Sequence, residues 1–143
     1  MKEGIYYSCF KEFLKQNKDK KNKQFILVAE YSDFEIEYLN DYNADIVGAI
    51  VPFIVYNTEF YNKGTIAFDL EDDSDYLFVP DMSELNCSQI EQLDISSLMV
   101  ILDGLSPNIT DFLDNLFQSV PENTQILGGG AGKMTFEDEP VIF

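Results

Sequence analysis

A glycine-rich stretch near the end of the chain, ILGGGAG at residues 126–132, is the part of the sequence best suited to contact a ligand directly. Four glycines lie within it and follow an apolar pair. Glycines at the end of a strand let backbone N–H groups approach a phosphate or a carboxylate closely. The stretch therefore predicts a phosphate cradle, another small-ligand loop, or a point where chains pack tightly.

The glycine run does not fit either of the two common nucleotide-binding loops. In the pattern GxxxxGK[ST], with Gly132-Lys133 as the GK pair, the first glycine falls on Leu127 and the hydroxyl residue on Met134. The pattern GxGxxG fails as well, because its last position falls on Lys133 or Thr135. What remains is a glycine loop that could hold a carboxylate or a small polar molecule, or one that serves only close packing.

The residue types that most often carry catalysis are missing from the chain. It contains no histidine, and all nine basic residues are lysines. This excludes Ser-His-Asp and Cys-His nucleophile systems and bidentate arginine clamps on phosphate. These absences leave only carboxylates, Lys, Tyr, Ser, Thr and Cys to carry catalysis. The function that we predict is non-enzymatic, with no metal and no cofactor. A hydrolase based on the carboxylate of Asp103 is the remaining enzymatic alternative.

The charge and the cysteines limit the partners and the compartment. A formal net charge of -17 predicts that the chain repels nucleic acid and anionic lipid. No apolar run reaches the roughly 18 residues of a membrane helix, and the N-terminus has no signal-peptide core. Cys9 and Cys87 show no CxxC spacing, which is typical of a reducing compartment. We expect a cytoplasmic protein without membrane insertion.

Asp103 and Gly104 form a second candidate for ligand contact. They follow a buried apolar run, and α/β sheets bind ligands just beyond the ends of such strands. The alternative is that Asp103 only bonds the turn around Ser106-Pro107. The acidic stretches EDDSD (71–75) and FEDE (136–139) predict solvated turns, because they lack the ligand spacing of a calcium loop.

Apolar periodicity predicts the elements that must position these residues. Helices are predicted at 2–17 and at 33–43, the second with Ser32 and Glu35 as a capping box. A weak helix is predicted from Asp81 or Ser83 to about Asp94. A further helix is predicted after Ser106-Pro107, with the proline at its first position. Short apolar runs predict strands at 24–31, 44–56, 64–70, 76–80, 97–105, before the glycine run and at 140–143.

Two segments, about 24–70 and 97–143, repeat one order of elements: strand, helix, strand, glycine, loop, strand. Each strand–helix–strand has the length of a right-handed crossover. The chain is therefore predicted to be an α/β domain with a mainly parallel or mixed sheet and helices packed on it. The strand ends carry Glu30-Tyr31, Gly48-Ala49, Asp103-Gly104 and the glycine run.

These motifs resemble the N-terminal half of the FIST domain. The second repeat carries the resemblance through DGL (103–105), an amphipathic helix, ILGGGAG, an acidic turn and VIF. The first repeat resembles the family's first unit through FILVAEY, a helix and ADIVGAI. The resemblance implies a sensory module of signal transduction that binds a small ligand, with amino acids the usual suggestion.

The resemblance also implies the ligand-contacting residues and the extent of the domain. The implied contacts are Gly48, Asp103, Gly104, Gly128, Gly129, Gly130, Ala131 and Gly132. The chain departs from the family after Gly48, where AIVPFIV replaces hydroxyl residues and a second glycine. We expect one domain over 1–143 that is a fragment, a degenerate member or one partner of a split protein, because the family continues into a C-terminal half.

Two functions are therefore predicted. The first is a non-enzymatic module that binds a small polar ligand by the backbone of the glycine run, with Asp103 as an ammonium or hydroxyl partner. The alternative is an interaction or scaffold domain, in which the apolar VPFIVY (51–56) docks a C-terminal FIST half or a second copy of the chain.

Overall fold

The structure, a computed structural model, describes residues 3–136 and 139–143, and these residues form two compact units. The first unit runs to Asp75 and resumes at Ala131, and the second is Tyr76–Gly130. The unit boundaries do not follow the two sequence repeats. No helix in the described part of the chain is long and apolar enough to cross a membrane.

The first unit contains a mixed four-stranded sheet. Its elements are β1 (Ile5–Tyr7), α1 (Phe10–Asn17), β2 (Gln24–Ala29), β3 (Ile46–Val51), β4 (Ile54–Tyr56), β5 (Glu59–Tyr61) and β6 (Thr65–Asp69). The strand order is β1-β6-β2-β3. β2 is parallel to β3 and antiparallel to β6, and β6 is antiparallel to β1. The predicted α/β class with a mixed sheet is confirmed.

The central strand β2 carries the core of the first unit. All of its residues except Leu27 are buried, as a continuous apolar run predicts for a strand covered on both faces. On one face Phe10 and Phe13 of α1 pack against Ile26 and Val28. The first repeat and α1, which precedes it, therefore build one hydrophobic core together.

A short hairpin, β4–β5, has one face in a second buried cluster, with Ala29 and Ile66, and one face in solvent. Ile54 is buried and packs with Tyr56 and Tyr61. The cross-strand pair Val55–Phe60 lies on the other face, where Phe60 is 77% exposed. The hairpin therefore carries an exposed apolar face.

The segment 141–143 covers the outer edge of β3. Ala49 forms an antiparallel bridge with Ile142. The N–H of Gly48 donates to the carbonyl of Phe143 over 2.7 Å, and the N–H of Phe143 donates back to Gly48 over 3.0 Å. The strand predicted at 140–143 is thus reduced to a single bridge that completes the sheet of the first unit.

The second unit contains α2 (Cys87–Glu91), β7 (Ser97–Asp103), α3 (Ile109–Ser119) and β8 (Gln125–Ala131), with the last residue of β8 counted in the first unit. β7 and β8 form a two-stranded sheet. The N–H of Gln125 donates to Ser96 where the strands begin, and Gly130 lies beside Gly104 where they end. The two strands therefore run parallel.

One apolar cluster holds the second unit together. Its buried members, Ile90, Phe112 and Leu116, come from α2 and α3, and they pack against one face of β7. The amphipathic pattern predicted for α3 is confirmed in this cluster. Asp81 was one of two predicted caps, and it accepts a hydrogen bond from the N–H of Ser83 at a short 3-10 turn. Bonds from Ser83 lower the pKa of Asp81.

Several predicted helices are shorter or absent. Residues 5–7, placed in a helix by the sequence, form β1 because Ile5 and Tyr6 pair with β6. The helix predicted at 33–43 is only a 3-10 turn at Ile36–Leu39. The hydroxyl of Ser32, the expected cap, instead donates to the carbonyl of Gly64 and accepts from the N–H of Gly64. Asparagine and aspartate at 40–43 also disfavour a helix there.

Other boundaries differ from the prediction as well. No strand forms at 76–80, where the apolar side chains Leu77 and Phe78 remain exposed. α3 begins at Ile109, after Pro107, with Asn108 at its N-cap. Most important for function, the glycine run is part of β8 and not a turn that follows a strand.

Candidate functional site

The glycine run presents an extended, exposed backbone. Every residue of β8 before Ala131 is exposed. Among the described residues β8 has only β7 as a strand partner. A strand with one unpaired edge leaves backbone N–H and C=O groups open to another molecule.

The three glycines within β8 have different reasons to be glycine. A Cβ at Gly128 would overlap the carbonyl oxygen of Val100, so close packing requires a glycine there. A Cβ at Gly130 would lie 3.1 Å from the Cα of Gly104, which leaves little room. A Cβ at Gly129 would meet nothing within 4 Å. Packing therefore accounts for Gly128, but not for Gly129.

Asp103 lies where β7 ends and shapes the turn into α3. Its Oδ1 accepts a hydrogen bond from the N–H of Leu105 over 2.9 Å, and its carbonyl accepts one from Ser106 over 3.3 Å. This is the local turn bonding weighed as the alternative to a ligand role. The structure brings Asp103 and Gly104 to the same ends of the β7–β8 pair as Gly130.

The other predicted contacts belong to the first unit. Ala131 is buried, and the N–H of Gly132 donates to the carbonyl of Ile50 over 2.9 Å. A Cβ at Gly48 would lie 2.6 Å from the carbonyl oxygen of Ile26 and 2.8 Å from the ring of Phe143. The backbone N–H groups of Gly48 and Gly132 are thus already used within the unit.

Lys133, the lysine nearest the glycine run, is engaged as well. Its Nζ forms an ion pair with the carboxylate of Glu139. Two of the residues predicted to form an acidic turn at 136–139, Glu137 and Asp138, lie outside the described residues. The acidic loop 71–75 contributes Asp75 to an exposed ion pair with Lys23. Searched over its described residues, the chain shows no group of three metal-binding side chains.

Glu30 is a candidate that the sequence prediction left out of the site. It follows β2 directly, and in the other repeat Asp103 is the last residue of β7. Its Oε2 accepts a hydrogen bond from the N–H of Met134 over 2.8 Å. Its Oε1 is buried and has no hydrogen-bond partner among the described residues. The repeat itself is the signal that could have found it.

Comparison with known proteins gives one match. The family model described as FIST N domain matches residues 27–143, which include both repeats except for the first residues of β2. The searches of curated proteins and of solved structures found no match.

Proposed function

The chain belongs to the FIST N domain family, whose members are sensory domains in signal transduction, and from this we propose that it binds a small polar, amino-acid-like ligand without catalysis. The contact is made by the exposed backbone of Gly128, Gly129 and Gly130, with Asp103 as the partner of an ammonium or hydroxyl group. The protein acts in the cytoplasm as a sensory module.

The absence of any packing reason for Gly129 is the observation that carries this proposal. A glycine inside a strand weakens the strand and commonly marks a site where a ligand or another backbone approaches closely. Gly129 is exposed, nothing lies within 4 Å of its Cβ position, and its φ is not in the left-handed region. Neither packing nor backbone conformation therefore requires this glycine, whereas a ligand held close to the strand would.

Asp103 retains capacity for a ligand. A carboxylate offers about four acceptor positions, and the turn at Leu105 uses one of them. Because Asp103 lies at the same end of the strand pair as Gly130, one small molecule that carries both a negative and a positive group can contact both. The backbone N–H groups would bind the negative group and the carboxylate the positive one.

A thermal-shift panel of amino acids and nucleotides tests the proposal on the full chain. A ligand at about one hundred times its Kd stabilises the folded state by about 2.7 kcal/mol. Gly129→Val should abolish this response with little change in the melting temperature of the free protein, since the position has room. Gln125→Val, an exposed change in the same strand, is the matched control and should keep the response.

The second candidate is an interaction domain that docks a C-terminal FIST half or a second copy of the chain. It is favoured by Leu127, which is 74% exposed on β8, a strand whose partner among the described residues is β7 alone. The exposed pair Val55–Phe60 of the hairpin favours it as well. Light scattering that gives a stable dimer, together with no thermal shift across the panel, would favour this function over ligand binding.

A further inference from the structure

The buried Oε1 of Glu30 lacks a hydrogen-bond donor among the described residues. A carboxylate oxygen removed from water without a donor costs free energy that the rest of the structure must offset. Oε2 is satisfied by the backbone of Met134, yet Oε1 is buried without a partner among the described residues. A buried polar atom left in this state calls for an explanation, such as a bound group that the protein alone does not supply.

The segment from Gly132 to Phe136 adjoins Glu30 and carries exposed side chains. The segment from Gly132 to Phe136 crosses the carboxyl ends of β2 and β3, fixed by the bonds from Gly132 to Ile50 and from Met134 to Glu30. The side chains of Met134 and Phe136 on this segment are exposed, and Phe136 has a φ of 55°. A bulky residue in the left-handed region is strained. Glu30 Oε2 is therefore bonded to a segment whose side chains are open to solvent.

We propose that Glu30 is a binding residue for the ammonium group of a small organic ligand. Its Oε1 accepts the hydrogen bond of the ammonium, while Oε2 keeps the segment from Gly132 to Phe136 in place. The proposal goes beyond the proposed function, because Glu30 and Met134 lie in the first unit and bind a ligand independently of the glycine run.

An ammonium group fits the site better than a metal ion. A primary ammonium offers three donors around one positive charge, and one carboxylate oxygen binds it with a single charge-assisted bond. Ca²⁺ would need six to eight oxygen ligands, and the described residues hold no group of three acidic or metal-binding side chains.

Two-dimensional amide NMR on the full chain tests this assignment. The probes are propylammonium and butyrate, which share a propyl tail and carry opposite charges. The amide of Met134 reports on the carboxylate directly, because it is bonded to Glu30. We expect propylammonium to shift this amide in a saturable way and butyrate to leave it unchanged. Glu30→Gln should weaken propylammonium binding at least tenfold, while Glu35→Gln, an exposed change of equal charge, should not.

Each outcome decides the assignment. A wild-type Met134 amide that does not respond to propylammonium overturns it, whether or not Glu30→Gln folds. Retained binding in Glu30→Gln, or an equal response to butyrate, overturns it as well. If butyrate shifts the amides of Gly128–Gly130 while propylammonium has no effect at Met134, the glycine-run function stands and this inference fails. The reverse pattern supports Glu30 and rejects the glycine run.

Discussion

The two sequence repeats build strand pairs with one common feature and opposite surroundings. In both pairs a glycine of the second strand faces a carbonyl of the first, Gly48 against Ile26 and Gly128 against Val100. Yet all of β2 except Leu27 is buried, whereas β8 is exposed up to Ala131.

The position of the third strand accounts for this difference. In the first repeat β6 returns beside β2, and the segment 141–143 covers the other edge of β3. In the second repeat the corresponding segment is 141–143 itself, and it joins β3 of the first unit. The β7–β8 pair therefore has no third strand among the described residues. Equivalent sequence patterns thus give a core in one place and an accessible backbone in another.

The largest expected contrast is between apolar side chains of the two pairs. Ile26→Ala should reduce the free energy of unfolding by about 2–5 kcal/mol, because the side chain is fully buried in the core. Leu127→Ala should change it by less than about 0.5 kcal/mol. Urea denaturation of both variants measures the contrast. A large loss for Leu127→Ala would mean that β8 is covered in solution and would break the comparison.

The glycines should show a smaller contrast of the same kind. Gly48→Ala should cost about 1–3 kcal/mol, because its Cβ meets the backbone of Ile26 and the ring of Phe143. Gly129→Ala should be neutral or stabilise the protein by up to about 1 kcal/mol, since alanine restricts the unfolded chain. Thermal and urea unfolding of both variants, without ligand, give the two values. Equal costs would show that Gly129 also has a packing role.

Two substitutions of Asp103, the last residue of β7, separate a turn role from a ligand role. Asp103→Ala should cost about 1 kcal/mol through the lost bond to Leu105, whereas Asp103→Asn keeps an acceptor and should change little. Urea unfolding of the two variants separates the roles. If both are neutral while ligand binding is lost, Asp103 serves the ligand and not the turn.

The smallest expected effect is a loss of stability of the first unit at alkaline pH. Burial raises the pKa of Tyr42 well above its ordinary value, so the folded state favours the neutral phenol. Its contribution to stability is complete below about pH 10, the unfolded pKa, and is lost as the pH rises further. Unfolding measured between pH 8 and 11 should show this loss, and Tyr42→Phe should reduce it. An unchanged slope in Tyr42→Phe would exclude this cause.

The sequence predicted the elements that depend on local pattern. β2, β7 and α3 follow from apolar runs and helical periodicity, and each lies close to its predicted range. The helix predicted over residues 5–7 was wrong, because Tyr6 fits helical spacing by chance and the pairing of β1 with β6 is a contact distant in sequence. The site was predicted from residue types alone, and which glycine has free space around it depends on neighbours that no motif names.

The sequence could not reveal which polar groups would remain unsatisfied. The hydroxyl of Ser32 fits a capping box, but it bonds Gly64. Glu30 and Asp103 lie at corresponding strand ends, yet Asp103 accepts a bond from its own turn at Leu105 and Glu30 accepts one from the distant Met134. Such differences arise from which chain segment returns to each strand end, and that is fixed only by the completed fold.

The pairing of residues 141–143 with β3 also has a kinetic consequence. The whole second unit lies in the chain between Ala49 and its bridge partner Ile142. Closing so long a loop costs conformational entropy before the contact can stabilise the fold. Contacts this distant in sequence therefore slow folding. During synthesis the edge of β3 stays open until residues 141–143 leave the ribosome, and an open strand edge is prone to wrong pairing.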